Sequence, residues 1–173
     1  MRTAKHRPHI LIVCTGNLCR SPMAQVYLQH RFRSLAIPAT VESAGIMAAE
    51  GYPAPPQVQR VVAAMGLDLS TFRSRPLMPG MIRRADWILV MEPWHRSWIL
   101  SHFPAFKDRV VLLGSFLDGA DDALIPDPYG ESLSVYQFVW NLLRHAVDRW
   151  LDTWLASSKL IVPSSQRSVS ESG

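Results

Sequence analysis

Cys14 and Arg20 are separated by Thr15-Gly16-Asn17-Leu18-Cys19 and followed by Ser21-Pro22. A thiol and a guanidinium so spaced can perform nucleophilic chemistry on an oxyanion if the segment between them curls around a single point. A thiol held at a helix start beside a guanidinium gives up its proton readily, so Cys14 is expected to be a thiolate at neutral pH. Arg20 carries a planar fork of donors that can grip two oxygens of a phosphoryl group, while the N–H groups from Thr15 to Arg20 take the others. Gly16 and Asn17 are residue types that tolerate left-handed backbone, which a nest of inward-pointing N–H groups needs. Ser21 can give its hydroxyl to the sulfur and ease its later departure as a leaving group.

The flanking residues say how such a loop is held. The apolar run His9 to Val13 reads as a strand buried on both faces, and Ser21 followed by Pro22 reads as an N-cap and a first-turn proline for a helix to about Leu35. The loop thus lies between a strand's carboxyl end and a helix's amino end, where unpaired N–H groups and the helix dipole favour an anion. Ala39 to Gly45 reads as a second strand, and Pro53 to Met65 contains a helix closed by Gly66. Trp87 to Met91 is a third buried strand, and Glu92-Pro93 begins a helix through about Leu100. Trp94 and Trp98 share one face of that helix, which favours core packing over a partner-binding patch. Arg109 to Leu113 is a fourth strand, and Ser132 to Leu155 is a long amphipathic helix whose buried stripe includes Leu133, Val139, Leu142, Leu143, Val147, Trp150, Leu151 and Trp154. Strands alternating with helices imply an open parallel sheet with a ligand at the strands' carboxyl ends.

A second stretch bears on the chemistry. Thiolate attack on a phosphate ester of a poor leaving group such as phenolate needs a proton on the departing oxygen. Ile125-Pro126-Asp127-Pro128-Tyr129, in a loop rich in Asp, Gly and Pro, offers a carboxylic acid on a mobile segment, although an Asp-Pro-Tyr taken alone is more often a plain turn.

CTGNLCRSPMA resembles the active-site loop of the low-molecular-weight protein tyrosine phosphatases, and Asp127-Pro128-Tyr129 matches that family's Asp-Pro-Tyr. The resemblance covers about residues 8 to 155. It implies an α/β fold, a four-stranded parallel sheet of order 2-1-3-4 flanked by helices in a flavodoxin-like three-layer arrangement. It implies Cys14 as nucleophile, Arg20 as clamp and Asp127 as general acid and then base. Thr15, Gly16, Asn17, Leu18, Cys19 and Ser21 would form the phosphate-binding loop. Ser43 would support it through Asn17 or else simply cap a strand end, Ile46 would line the pocket mouth, and Tyr129 would stack on the substrate ring. Cys19 would form a reversible disulfide with Cys14 after oxidation, or merely pack beneath the loop. Neither metal nor cofactor is implied. The main departure is Phe72, where the family usually carries a histidine that helps tether the loop, and a phenyl ring can neither donate nor accept those hydrogen bonds.

Rival readings are distinguishable by residue. An arsenate reductase on this fold would need further cysteines downstream, and none follows Cys19. A protein-arginine phosphatase carries Thr where Leu18 stands, and Leu favours a phenolic substrate. A non-catalytic phosphotyrosine-binding module has no use for Asp127. The pattern from Gly114-Ser115 through Ile-Pro-Asp-Pro-Tyr-Gly-Glu-Ser looks most like bacterial members associated with tyrosine kinases of capsule and exopolysaccharide export, which makes such a kinase a candidate partner.

Composition bounds the rest. The chain has 173 residues, is 48% apolar and carries a formal charge of +4, enough for one domain with a sizeable core and a bias towards anionic substrates. No aromatic-plus-basic stripe argues for nucleic acid. Residues 1–7 read as a basic extension, too poor in apolar residues for a signal peptide, and no stretch approaches the ~20 apolar residues of a membrane span. Two cysteines in one loop make no disulfide framework, so a cytoplasmic location is expected. The six histidines show no metal-ligand spacing. From 156 to 173 the chain is Ser-rich and aperiodic, which predicts a disordered tail.

Overall fold

A computed structural model of the chain describes residues 6–119 and 124–160. Four strands, β1 (His9–Cys14), β2 (Thr40–Gly45), β3 (Trp87–Val90) and β4 (Val110–Leu112), form one sheet of order β2-β1-β3-β4. Every pairing is parallel. Among the described residues five α-helices accompany them: α1 (Arg20–Ser34), α2 (Pro56–Ala63), α3 (Pro79–Arg84), α4 (Pro93–His102) and α5 (Leu133–Leu160).

The sheet is the middle of three layers because its central strands, β1 and β3, are apolar at successive positions. On one face Ile10, Ile12, Leu89 and Met91 pack with Met23, Leu28 and Phe32 of α1, Val58 and Val62 of α2, and Val139, Leu143, Val147 and Leu151 of α5. On the other, Leu11, Val13, Ile88 and Val90 pack with Met81 and Ile82 of α3 and Ile99 of α4. Alternate side chains of a strand point to opposite faces, so a run without polar interruption must be covered twice. β1 lies between β2 and β3, and the chain leaves it towards one neighbour and returns on the other side. Its carboxyl end is therefore the switch point of the sheet, where ligands of open α/β folds bind. Cys14 is its last residue.

Several elements differ from the sequence reading. The closing helix does not stop at Leu155 but continues to Leu160. Ser157 and Ser158 donate their hydroxyls back to Thr153 O at 3.0 Å and Trp154 O at 2.9 Å, which lets serines sit in a helix interior. The expected tail thus loses its first residues to α5, and its remainder, 161–173, lies outside the described residues. Of the basic extension, residues 1–5 also lie outside them, while His6 meets Asp86 at 2.8 Å and Arg7 donates to Ala39 O at 3.1 Å. The buried stripe of α5 includes Tyr136, Trp140 and Ala146, while Leu133, Leu142 and Trp154 are only half-buried. Trp94 does not pack in the core: α4 buries His95 and Ile99, which rotates Trp94 to 38% exposure. Trp98 is half-buried and stacks on the His102 ring with centroids 4.2 Å apart.

Candidate active site

The loop from Cys14 to Arg20 gathers its donors as the residue types suggest, with two changes. Asn17 takes the left-handed conformation at φ 53°, whereas Gly16 is not left-handed. Gly16 instead leaves open space, since an added Cβ would meet nothing within 4 Å. Ser21 is not the N-cap. The cap position of α1 is Cys19, and no side chain caps the helix, so its first-turn N–H groups stay available to an anion.

Ser21 lies inside the first turn, fully buried, with Oγ 2.9 Å from Cys14 Sγ. Ser21 Oγ also accepts from Asn17 Nδ2 at 2.8 Å and keeps its own proton to offer a thiolate sulfur. The Asn17 backbone N–H reaches the same sulfur at 3.3 Å. Two groups able to donate therefore stand around Sγ. Cys19 is different in kind. Burial, with the charge of Asp127 adding to it, pushes its thiol up to about 12, against the hydrogen bond from Tyr136 and the charge of Arg20. It is a protonated thiol at any working pH, and both cysteines stand free.

Asn17 is the strut of the loop. Its Nδ2 also donates to Ser43 Oγ at 2.9 Å, and its Oδ1 accepts the Arg75 backbone N–H at 2.9 Å. Ser43 in turn donates to Gln25 Oε1 at 2.5 Å. Phe72, which can offer no such bond, packs half-buried against the core, and the main chain three residues later supplies the contact that braces Asn17. Gly45 allows the loop to lie this close to β2: a Cβ there would stand 2.6 Å from Thr15 O and 2.8 Å from Asn17 N.

Arg20 is 1% exposed, which for a permanent charge demands partners. Its Nη1 donates to Glu92 Oε1 at 2.5 Å and to Ile125 O at 2.9 Å. Its Nη2 reaches Thr15 Oγ1 at 3.3 Å and lies 3.4 Å from Asp127 Oδ2. Burial would raise the Glu92 carboxyl, but the hydrogen bond and charge of Arg20 hold it below the usual carboxylate range. Trp94 Nε1 donates to the other Glu92 oxygen at 2.8 Å, so the exposed tryptophan also steadies this anchor.

Asp127 arrives from the far end of the chain. Ile125, fully buried, fixes that loop by donating its N–H to Met91 O at 2.9 Å, just beyond β3. Asp127 Oδ1 accepts the Tyr129 N–H at 3.1 Å, and its side chain is 45% exposed. Cys14, Thr15, Gly16, Leu18, Cys19, Arg20, Asp127 and Tyr129 together line a cavity of about 160 Å³. Asn17, Ser21 and Ser43 stand behind it. Ile46 does not line it. That residue packs half-buried against the face containing Leu11 and Val13, because β2 has ended at Gly45 and the chain turns away. A buried guanidinium, a ring of N–H groups and a sulfur at the base can hold a tetrahedral oxyanion; a carboxyl at the rim can exchange a proton with it.

The comparisons with known proteins fit this geometry. Residues 9–160 match the family described as low molecular weight phosphotyrosine protein phosphatase. The chain belongs to that family. Among its relatives is the probable low molecular weight protein-tyrosine-phosphatase EpsP of Ralstonia nicotianae, 38% identical over 142 residues, spanning 82% of this chain and 92% of that one. The YwlE arginine phosphatase from Geobacillus stearothermophilus superposes with a TM-score of 0.80 at 33% identity, covering 90% of this chain and 98% of that one. The tyrosine phosphatase Wzb from Escherichia coli K30, solved in complex with sulphate, gives 0.75 at 33% identity, covering 86% and 99%.

Two residues of this phosphatase's site went unnoticed in the sequence, Glu92 and His95. His95 is fully buried and closes a capping box with Glu92 at the start of α4. Burial first, and then the charge of Arg20, lower its pKa to about 4 against the weaker pull of Glu92 and Asp127. The unfolded chain takes up that proton near pH 6.5, the folded one only near 4. Stability is therefore intact above about pH 6.5 and lost as pH falls from there towards 4, by roughly 3 kcal/mol in all. Urea unfolding of the parent and of His95→Gln across this range should show the gap between them shift by that order in the variant's favour as pH falls. A gap constant with pH would mean that the folded protein protonates His95 as readily as the unfolded chain does.

Proposed function

We propose that the chain is a cysteine-dependent protein-tyrosine phosphatase that works through a phosphocysteine intermediate. The observation that carries this reading is the convergence of Cys14, Arg20 and Asp127 on one cavity from separate segments of the chain. A binding module needs the clamp but has no use for the thiol and the acid.

In the first step Cys14 Sγ attacks phosphorus in line as the ester P–O bond breaks, and Asp127 gives its proton to the departing phenolic oxygen. Arg20 and the loop amides hold the equatorial oxygens as charge spreads over them. In the second step Asp127, now a carboxylate, takes a proton from water as that water attacks phosphorus. The S–P bond breaks, phosphate leaves, and the Ser21 hydroxyl supports the returning thiolate. Leu18 and Tyr129 at the rim flank the substrate's ring, with Tyr129, 62% exposed, free to stack on it.

The substrates are phosphotyrosyl proteins, and a bacterial tyrosine kinase of exopolysaccharide export is the partner proposed. No helix among the described residues is long and apolar enough to cross a membrane. Two free thiols suit a reducing cytoplasm, which is the location proposed.

The structural likeness to an arginine phosphatase sets the decisive experiment. Phosphate release should be measured from matched peptides bearing phosphotyrosine, phosphoserine or phosphoarginine, without added metal. Release from phosphotyrosine is expected to dominate because Leu18 presents an apolar wall suited to a phenyl ring rather than to a charged guanidinium. Preferential release from phosphoarginine would move the protein to the neighbouring activity, and no release from any peptide by folded protein would leave a binding module.

A further inference from the structure

The side chains of Thr15 and His95 take no part in the chemistry above, yet they meet inside the site, with His95 Nε2 2.9 Å from Thr15 Oγ1. The tautomer of His95 follows from its other nitrogen. Nδ1 lies 3.1 Å from the backbone N–H of Glu92, which can only donate, so Nδ1 carries no proton. Nε2 therefore holds the ring's proton and donates it to Thr15. A ring lowered to about 4 has no second proton to place on Nδ1. Arg20 Nη2 also donates to Thr15 Oγ1, at 3.3 Å. Both lone pairs of the hydroxyl are then engaged, one by His95 and one by Arg20. Its own proton must go elsewhere, and Thr15 lines the cavity.

We propose that the Thr15 hydroxyl is a hydrogen-bond donor to the phosphoryl group, with its proton aimed into the cavity by His95 acting as a positioning residue. This rests on the reading of the loop as a phosphate cradle. Without His95 the hydroxyl has a lone pair free and can turn its proton away from the ligand. With it, a rotor that would otherwise sample three positions is set before substrate arrives, which is what makes a preorganised donor effective. The arrangement costs the protein a buried imidazole that must stay neutral, and the capping box of α4 holds that imidazole in place.

The test is calorimetric binding of inorganic phosphate to Cys14→Ser protein, which removes the nucleophile and leaves the cradle. In that background Thr15→Val, equal in shape but without the hydroxyl, should weaken phosphate binding by roughly tenfold or more, as expected for a hydrogen bond to a charged group, with the thermal midpoint little changed. His95→Leu should weaken it comparably when Thr15 is present and no further when Thr15 is already Val, because the ring acts only through the hydroxyl. His95→Gln, whose amide can keep a donor at the Nε2 position, should retain most of the affinity and covers the case in which the leucine variant fails to fold. Unchanged binding by Thr15→Val, or losses that multiply in the double variant, would overturn the inference alone. Failure of the Cys14→Ser parent itself to bind phosphate would overturn the cradle, and this inference with it.

Discussion

Cys14→Ser is expected to lower phosphate release from phosphotyrosine by on the order of 10⁴-fold or more while leaving the protein folded. The two side chains have nearly the same shape, and Cys14 is 2% exposed at the end of a buried strand, so little repacking follows. The chemistry changes completely. The surroundings of Sγ are donors, the Ser21 hydroxyl at 2.9 Å and the Asn17 N–H at 3.3 Å, and donors stabilise an anion without being able to create one. A thiol reaches its nucleophilic form unaided, whereas a serine hydroxyl needs a base beside it. The site offers none: His95 is turned to Thr15, and Asp127 must carry its proton to the leaving group. Rapid acid quenching of the parent during turnover should find phosphate attached to Cys14, and none in the variant. Appreciable turnover by Cys14→Ser, or label on another residue, would show that the nucleophile lies elsewhere.

The parts of this site that were legible in the sequence are those that lie together along the chain. Cys14 to Ser21 is a closed chemical statement, because nucleophile, donors and clamp occupy one loop whose ends are a strand and a helix. Asp127 became legible only through the company of Pro128 and Tyr129. Glu92 and His95 were not, for a physical reason: each acts on a residue more than seventy positions away, and neither sits in a motif of its own. A sharper rule was available. A phosphate-gripping arginine at the base of a pocket must be buried, a buried arginine must be paired, and the carboxyl end of the adjacent parallel strand is where its acid can stand. Glu92, two residues after β3, is that acid.

The errors share a cause as well. Ser21 looked like a helix cap, Ile46 a pocket wall and Trp94 a core residue when each was judged by its neighbours in sequence. In the fold, the sulfur claimed the serine, the end of β2 turned the isoleucine away, and the burial of His95 and Ile99 decided which face of α4 points inward. Phe72 is the opposite case. Its side chain cannot brace Asn17, but a backbone N–H, which every residue except proline carries, does so from Arg75. The loss of one side chain was therefore a weaker threat to the loop than its chemistry implied.

Asp127→Asn is expected to cut kcat for a phosphotyrosine peptide by roughly 10²- to 10⁴-fold, the range that proton transfer to a leaving group contributes. The amide keeps an oxygen for the Tyr129 N–H now bound at 3.1 Å, so the loop should hold its shape. It cannot protonate a phenolate. The amide takes the place of a protonated carboxyl 3.4 Å from Arg20 Nη2 and brings no charge of its own, so KM should stay level. The loss must depend on the leaving group: an aryl phosphate whose phenol carries a nitro group departs readily as the anion and should be slowed far less than phosphotyrosine. Equal losses for the two substrates would mean that Asp127 acts on binding or on the loop's position, and that the proton reaches the phenol from another group.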